Sequence, residues 1–108
     1  MGRRKSARGN LVWYGRTPEG RLIVRNVFGF YETHGLPLDD IFAGLWRHNA
    51  LPDWIDLYDA MIRAGRPAER TLQALIAAVN DACYPLEFRD GIVAGLERLH
   101  AVKNHGSA

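Results

Sequence analysis

The side chains best suited to chemistry in this sequence are cationic, and they crowd one end. Arg3, Arg4, Lys5, Arg8, Arg16, Arg21 and Arg25 fall within the first 26 residues, with Glu19 as the one acid among them, a formal charge of +6. Residues 27–108 carry the other seven basic groups and eleven acids, a formal charge of −4. Guanidinium and ammonium groups neutralise phosphates and release their counterions. A segment of one sign joined to a body of the other therefore points to a polyanion, or to an oppositely charged protein surface, as partner. Trp13 and Tyr14 sit among these cations. An aromatic ring beside arginines on a β-surface suits backbone contact combined with base stacking. The expected nucleic-acid-binding set is Arg3, Arg4, Lys5, Arg8, Trp13, Tyr14, Arg16, Arg21 and Arg25. The same division of charge is also satisfied if the arginines meet carboxylates of the body, within one chain or between copies.

Other chemistries find less support. His34, His48, His100, His105 and Cys83 are the soft metal ligands, and no two share the i, i+3 or i, i+4 spacing that puts ligands on one helix face. No metal site is expected. Asp39, Asp40 and Asp53 stand where helices begin, a placement the helix dipole explains. Asp59 has Arg63 four residues later, the order for a surface ion pair. Cys83 falls in an apolar helical stripe, where a buried, inert thiol is expected. The glycines are scattered and build no phosphate-binding loop. These patterns assign no reaction and no cofactor, so a non-enzymatic protein is expected.

A helix-turn-helix is a competing nucleic-acid reading. Ala64-Gly65-Arg66 would be its turn, and Arg66, Arg70, Thr71 and Gln73 would open the recognition helix. Asp53, Asp56 and Asp59 on the preceding helix oppose it, because that helix would cross the DNA backbone.

These residues need elements to hold them. The chain has 108 residues, of which 47% are apolar and 24% charged, the composition of one ordinary globular domain. Residues 11–28 read as a β-hairpin. Leu11-Val12-Trp13-Tyr14 and Arg21-Leu22-Ile23-Val24-Arg25-Asn26-Val27-Phe28 are rich in β-formers, and Pro18 and Gly20 mark the turn. Alternation puts Arg21, Ile23 and Arg25 on one face of the second strand, with either Trp13 or Tyr14 beside them. From Leu36 the period becomes helical. Pro37, Pro52, Pro67 and Pro85, each followed within two residues by an acid, predict four helix starts. Leu38, Ile41, Phe42, Leu45 and Trp46 line the first helix; Trp54, Leu57, Tyr58 and Met61 the second; Leu72, Leu75, Ile76 and Val79 the third; Phe88, Ile92, Leu96 and Leu99 the fourth. Gly91 and Gly95 lie four apart in the last, a spacing that admits close approach of another helix.

The expected fold is α+β, mostly α: an N-terminal hairpin followed by four short helices in a compact bundle. A flexible basic arm (1–10) precedes a single domain (11–103), with helices from 36, and a flexible tail (104–108) follows it. One cysteine, no signal-peptide pattern and no apolar run near the ~20 residues of a membrane span point to a cytoplasmic protein. Its expected role is to contact DNA or RNA phosphates through the arm and hairpin. The alternative is a protein-interaction or assembly subunit, possibly a homo-oligomer, in which basic arm and acidic body are complementary surfaces. Three tryptophans, Trp13, Trp46 and Trp54, are candidate interface anchors for that role.

Overall fold

A computed structural model describes residues 9–105. Arg3, Arg4, Lys5 and Arg8 of the arm, and residues 106–108 of the tail, lie outside the described residues. The fold is α+β and mostly α, with a small sheet at the N-terminal end and helices after it.

Strands β1 (Val12–Arg16) and β2 (Leu22–Arg25) form the hairpin, with Val12 opposite Arg25 and Arg16 opposite Leu22. Its turn closes through Gly20 N–H donating to the Thr17 carbonyl at 2.9 Å. Gly20 has φ +91°, which a side chain would disfavour. The register slips between Trp13 and Gly15, so Tyr14 occupies a bulge that bends this edge strand and blunts it against further pairing.

The hairpin is shorter than its β-rich sequence suggests. Asn26 adopts the left-handed conformation (φ 66°, ψ 30°), which asparagine tolerates better than most residues. The chain turns there into a helix the sequence pattern does not reveal, α1 (Val27–His34). Val27 and Phe28 become buried helical residues rather than the end of a strand. Asn26 is held by its N–H donating to Asp56 Oδ2 at 3.0 Å and by its Nδ2 donating to the Asn10 carbonyl at 2.7 Å. Gly29, one turn into α1, has no room for a side chain, because a Cβ there would collide with the side chain of Asn26.

Helix α2 (Leu38–Arg47) leads to a third strand, β3 (Ala50–Pro52), which pairs in parallel with β2 to give the order β1-β2-β3. A parallel neighbour requires a crossover, and α1 and α2 supply it. Pro52 has no N–H for a ladder and is tolerated because β3 is an edge. The chain then enters α3 (Trp54–Arg63), α4 (Ala68–Asp81) and α5 (Leu86–His105). The predicted helix starts are present but fall later in the chain, by one residue at α2, α4 and α5 and by two at α3, where Pro52 belongs to β3. Pro37 and Pro67 occupy the capping position itself, and Pro85 immediately precedes Leu86.

Phe42, Leu57, Met61, Leu75, Val79 and Leu96 form the centre of one continuous core, which Val24 and Leu51 of the sheet join. The stripes read from the sequence are those that meet there. Around α5 the outcome differs from expectation. The helix continues through Asn104, past the expected end at 103, and Asn104 Nδ2 donates to Tyr58 Oη at 3.1 Å. His100 bridges Tyr58 Oη at 2.9 Å and Glu69 Oε1 at 3.3 Å, and Lys103 pairs with Asp59 at 3.2 Å. The helix thus draws Asp59 away from the expected partner Arg63. Cys83 is not a buried stripe residue. It is exposed, with φ 67°, in the turn between α4 and α5, because α4 ends at Asp81.

No helix among the described residues is long and apolar enough to cross a membrane.

Alanine is a better helix former than glycine by about 1 kcal/mol. Gly29→Ala is nevertheless expected to destabilise the protein by about 1–3 kcal/mol in urea unfolding followed by circular dichroism, because the methyl group displaces Asn26 from its turn. An increase in stability would mean that the Asn26 turn yields freely.

Candidate nucleic-acid interface

Five of the nine expected site residues fall on the hairpin, four in its strands and Arg21 just before β2, and the structure gives them different tasks. Trp13 and Tyr14 are 64% and 57% exposed on β1, the most open aromatic pair among the described residues. The bulge frees Tyr14 from the ladder, since it lies between the pairs Trp13–Val24 and Gly15–Ile23. Trp13 Nε1 donates to the Gly15 carbonyl at 3.0 Å, which fixes the indole along the strand. Arg16 ends the strand in solvent, with Nη1 donating to the Gly20 carbonyl at 2.9 Å.

Arg25 lies under Tyr14. Its guanidinium carbon is 3.6 Å from the Tyr14 ring centroid, and its Nε donates to Asp53 Oδ2 at 2.8 Å. The hydrogen bond to Asp53 holds the Arg25 guanidinium above its ordinary value, against a smaller opposing effect of desolvation. Alternation predicted an aromatic beside Arg25, and Tyr14 is that residue. The charge of Arg25, however, is already matched by a carboxylate of the same chain.

Arg21 turns instead to α2. Its guanidinium carbon stands 3.9 Å from the Trp46 ring centroid, and Nη1 donates to Asn49 Oδ1 at 2.9 Å. Asn49 is left-handed (φ 59°), which brings its side chain to the hairpin. Beneath Arg21, Trp46, Tyr84 and Phe88 pack ring against ring, with centroids 4.8–5.9 Å apart. Arg21 and Arg25 therefore do not form one free patch. Each cation sits over an aromatic ring, in a cation–π arrangement.

The groove beside Tyr14 was not legible in the sequence. It has a volume of about 310 Å³ and is lined by Tyr14, Ile23, Leu51, Asp53, Trp54 and Ile55. It exists because β3 returns beside β2 and delivers Trp54 and Ile55 to the sheet's open side. Of the other tryptophans, Trp46 and Trp54 are half-buried, and Trp54 meets Phe42 edge-on at 5.2 Å. Trp13 is the most exposed of the three.

The acids of α3 are engaged by the fold. Asp53 caps the helix by accepting from Asp56 N–H at 3.1 Å, Asp56 accepts from Asn26, and Asp59 holds Lys103. At the start of α4, Thr71 is fully buried and Arg66 lies 5.3 Å from the Phe28 ring centroid, so neither points outward as a base-reading side chain would. Among the described residues no group of three or more His, Cys, Asp or Glu side chains is placed to hold a metal ion.

Comparison with protein-family models, with curated proteins and with solved structures finds no match to this chain.

The Tyr84 hydroxyl is buried and has no hydrogen-bond partner among the described residues, and burial pushes its phenol well above the ordinary value of 10.0. Removing an unpaired buried hydroxyl is neutral or favourable, so Tyr84→Phe is expected to leave stability unchanged or raise it by about 1 kcal/mol at neutral pH. Because only the unfolded chain ionises this group near pH 10, its contribution is intact below that pH and declines as pH rises further. Urea titrations at neutral and alkaline pH are expected to show the variant losing less stability than wild type above about pH 10. Equal alkaline losses would contradict the burial.

Proposed function

We propose that the chain is a nucleic-acid-associated binding protein without catalytic activity, contacting phosphates through its basic arm and β1 and stacking bases on the exposed aromatics of that strand. The observation that carries this reading is the exposure of Trp13 and Tyr14 beside Arg16, directly after a segment holding Arg3, Arg4, Lys5 and Arg8. An exposed ring offers a stacking platform to any base, and a run of cations tracks the backbone. The contacts within the hairpin support a narrower set. Arg25 orients Tyr14 while paired with Asp53, and Arg21 ties the turn to α2. Phosphate contact then falls to Arg3, Arg4, Lys5, Arg8 and Arg16, with Trp13 and Tyr14 as the stacking pair.

A second reading, a protein-interaction or assembly subunit, is favoured by the apolar lining of the groove between Tyr14 and Ile55, which suits an apolar side chain of a partner as well as a base.

Fluorescence anisotropy with labelled single-stranded and duplex oligonucleotides separates them. With about five phosphate contacts, affinity should fall by roughly two to three orders of magnitude between about 50 and 200 mM salt. Trp13→Ala should weaken single-strand binding by roughly 1–3 kcal/mol, and Arg16→Ala should reduce the salt slope by about one contact. Absence of binding to DNA and RNA at low salt would end the nucleic-acid reading. Binding without salt dependence would end its phosphate-contact mechanism.

A further inference from the structure

Helix α5 is packed on one side only. It spans 20 residues, about 30 Å, and its inner face meets α4 through Leu96 and its neighbours. One flank of this same stripe stays open. It forms one side of an open groove of about 750 Å³ whose apolar lining includes Phe88, Ile92, Leu99 and Val102 of α5 and Trp54 and Ile55 of α3. Val102 and Ile55, which line it, are 65% and 56% exposed. A contiguous apolar surface of this kind on a folded chain marks a contact site.

Two features select the occupant. First, Gly91 and Gly95 line the groove. Glycine in a helix interior weakens the helix relative to alanine. Neither glycine has a left-handed backbone, a Cβ at Gly91 would meet nothing, and one at Gly95 would meet only Arg98 Nη2 at an ordinary 3.8 Å. Nothing in the described chain therefore requires a missing side chain at either position. A second helix lying across them would, since small residues let two backbones approach. Second, the rim is self-complementary. Glu87 lies one turn before Gly91 and Arg98 about one turn after Gly95, and both line the groove. Among the described residues neither has an ion-pair partner in its own chain. When two copies of α5 pack antiparallel about an axis midway between the glycines, Gly91 of each meets Gly95 of the other. Glu87 then falls within about one residue's rise, ~1.5 Å, of the level of Arg98 on the other copy, twice over. A two-fold interface requires this reciprocity.

We propose that the α5 groove is the interface of a symmetric homodimer, in which two α5 helices cross antiparallel at Gly91 and Gly95 with reciprocal Glu87–Arg98 pairs at the rim. This surface adjoins the groove beside Tyr14 through Trp54 and Ile55, but the pairing of two α5 helices does not depend on the proposed nucleic-acid contacts of β1. Dimerisation would place two basic arms on one particle.

Light scattering after size exclusion on the full chain tests the proposal. Wild type should have twice the chain mass and keep it in about 1 M salt, because burial of apolar surface persists where surface ion pairs are screened. Gly91→Leu has room in the monomer, so its circular dichroism should be unchanged while dimer affinity falls at least about tenfold. Arg98→Glu should weaken the dimer several-fold, and adding Glu87→Arg to it should restore the affinity. The proposal is overturned by a wild type that is monomeric up to its solubility limit. It is also overturned by a dimer that dissolves in salt, by one that Gly91→Leu leaves intact, or by failure of the paired charge reversal to restore what the single reversal removes.

Discussion

Much of this structure is organised by one carboxylate, that of Asp53. Its Oδ1 accepts the Asp56 N–H and so starts α3, its Oδ2 accepts from Arg25 Nε, and its own N–H donates to the Val24 carbonyl, extending the pairing of β2 with β3. A single residue thus terminates the sheet, caps a helix and anchors a cation. Asp56 adds a second tie, since it accepts the N–H of Asn26 at the corner where β2 becomes α1. A two-stranded hairpin is marginal in water. This one persists because the Asp53 segment pairs with it along β3 and because Val24 and Leu51 enter the core.

The exposed surface inherits its order from that anchor. Arg25 is fixed by Asp53 and in turn supports the ring of Tyr14, so an exposed aromatic on a bulged edge strand is held from beneath. Arg21 performs the corresponding task at the other end of β2, where it stacks on Trp46. Two of the seven N-terminal cations are in this way part of the scaffold that presents the others. Trp54 and Ile55, the first residues after the Asp53 cap, line both the groove at the sheet and the groove along α5. The point at which the chain leaves the sheet therefore shapes both candidate contact surfaces.

Much of this was legible in the residue pattern. Proline followed by an acid marked α2, α3, α4 and α5, and the apolar stripes through Phe42, Leu57, Leu75 and Leu96 are those that meet in the core. The elements that escaped reading are those set by tertiary contacts. Val27 and Phe28 have β-forming side chains, yet they are helical because Asn26 turns left-handed under the hold of Asp56 and Asn10. Ala50-Leu51-Pro52 is too short, and too close to a helix start, to register as a strand by periodicity. At the site, alternation correctly placed an aromatic beside Arg25. It could not reveal that Asp53, 28 residues away, neutralises that arginine, or that Trp46 receives Arg21. Cys83 was misplaced because α4 ends before it.

The central claim is that Asp53 serves the helix cap and the Arg25 clamp as one coupled unit. A double-mutant cycle of Arg25→Ala and Asp53→Ala, read by urea unfolding, tests it most directly. The account predicts that each substitution destabilises, and that the double variant loses clearly less than the two single losses together, since either change alone already breaks the shared contact. Strict additivity of the two losses would contradict it.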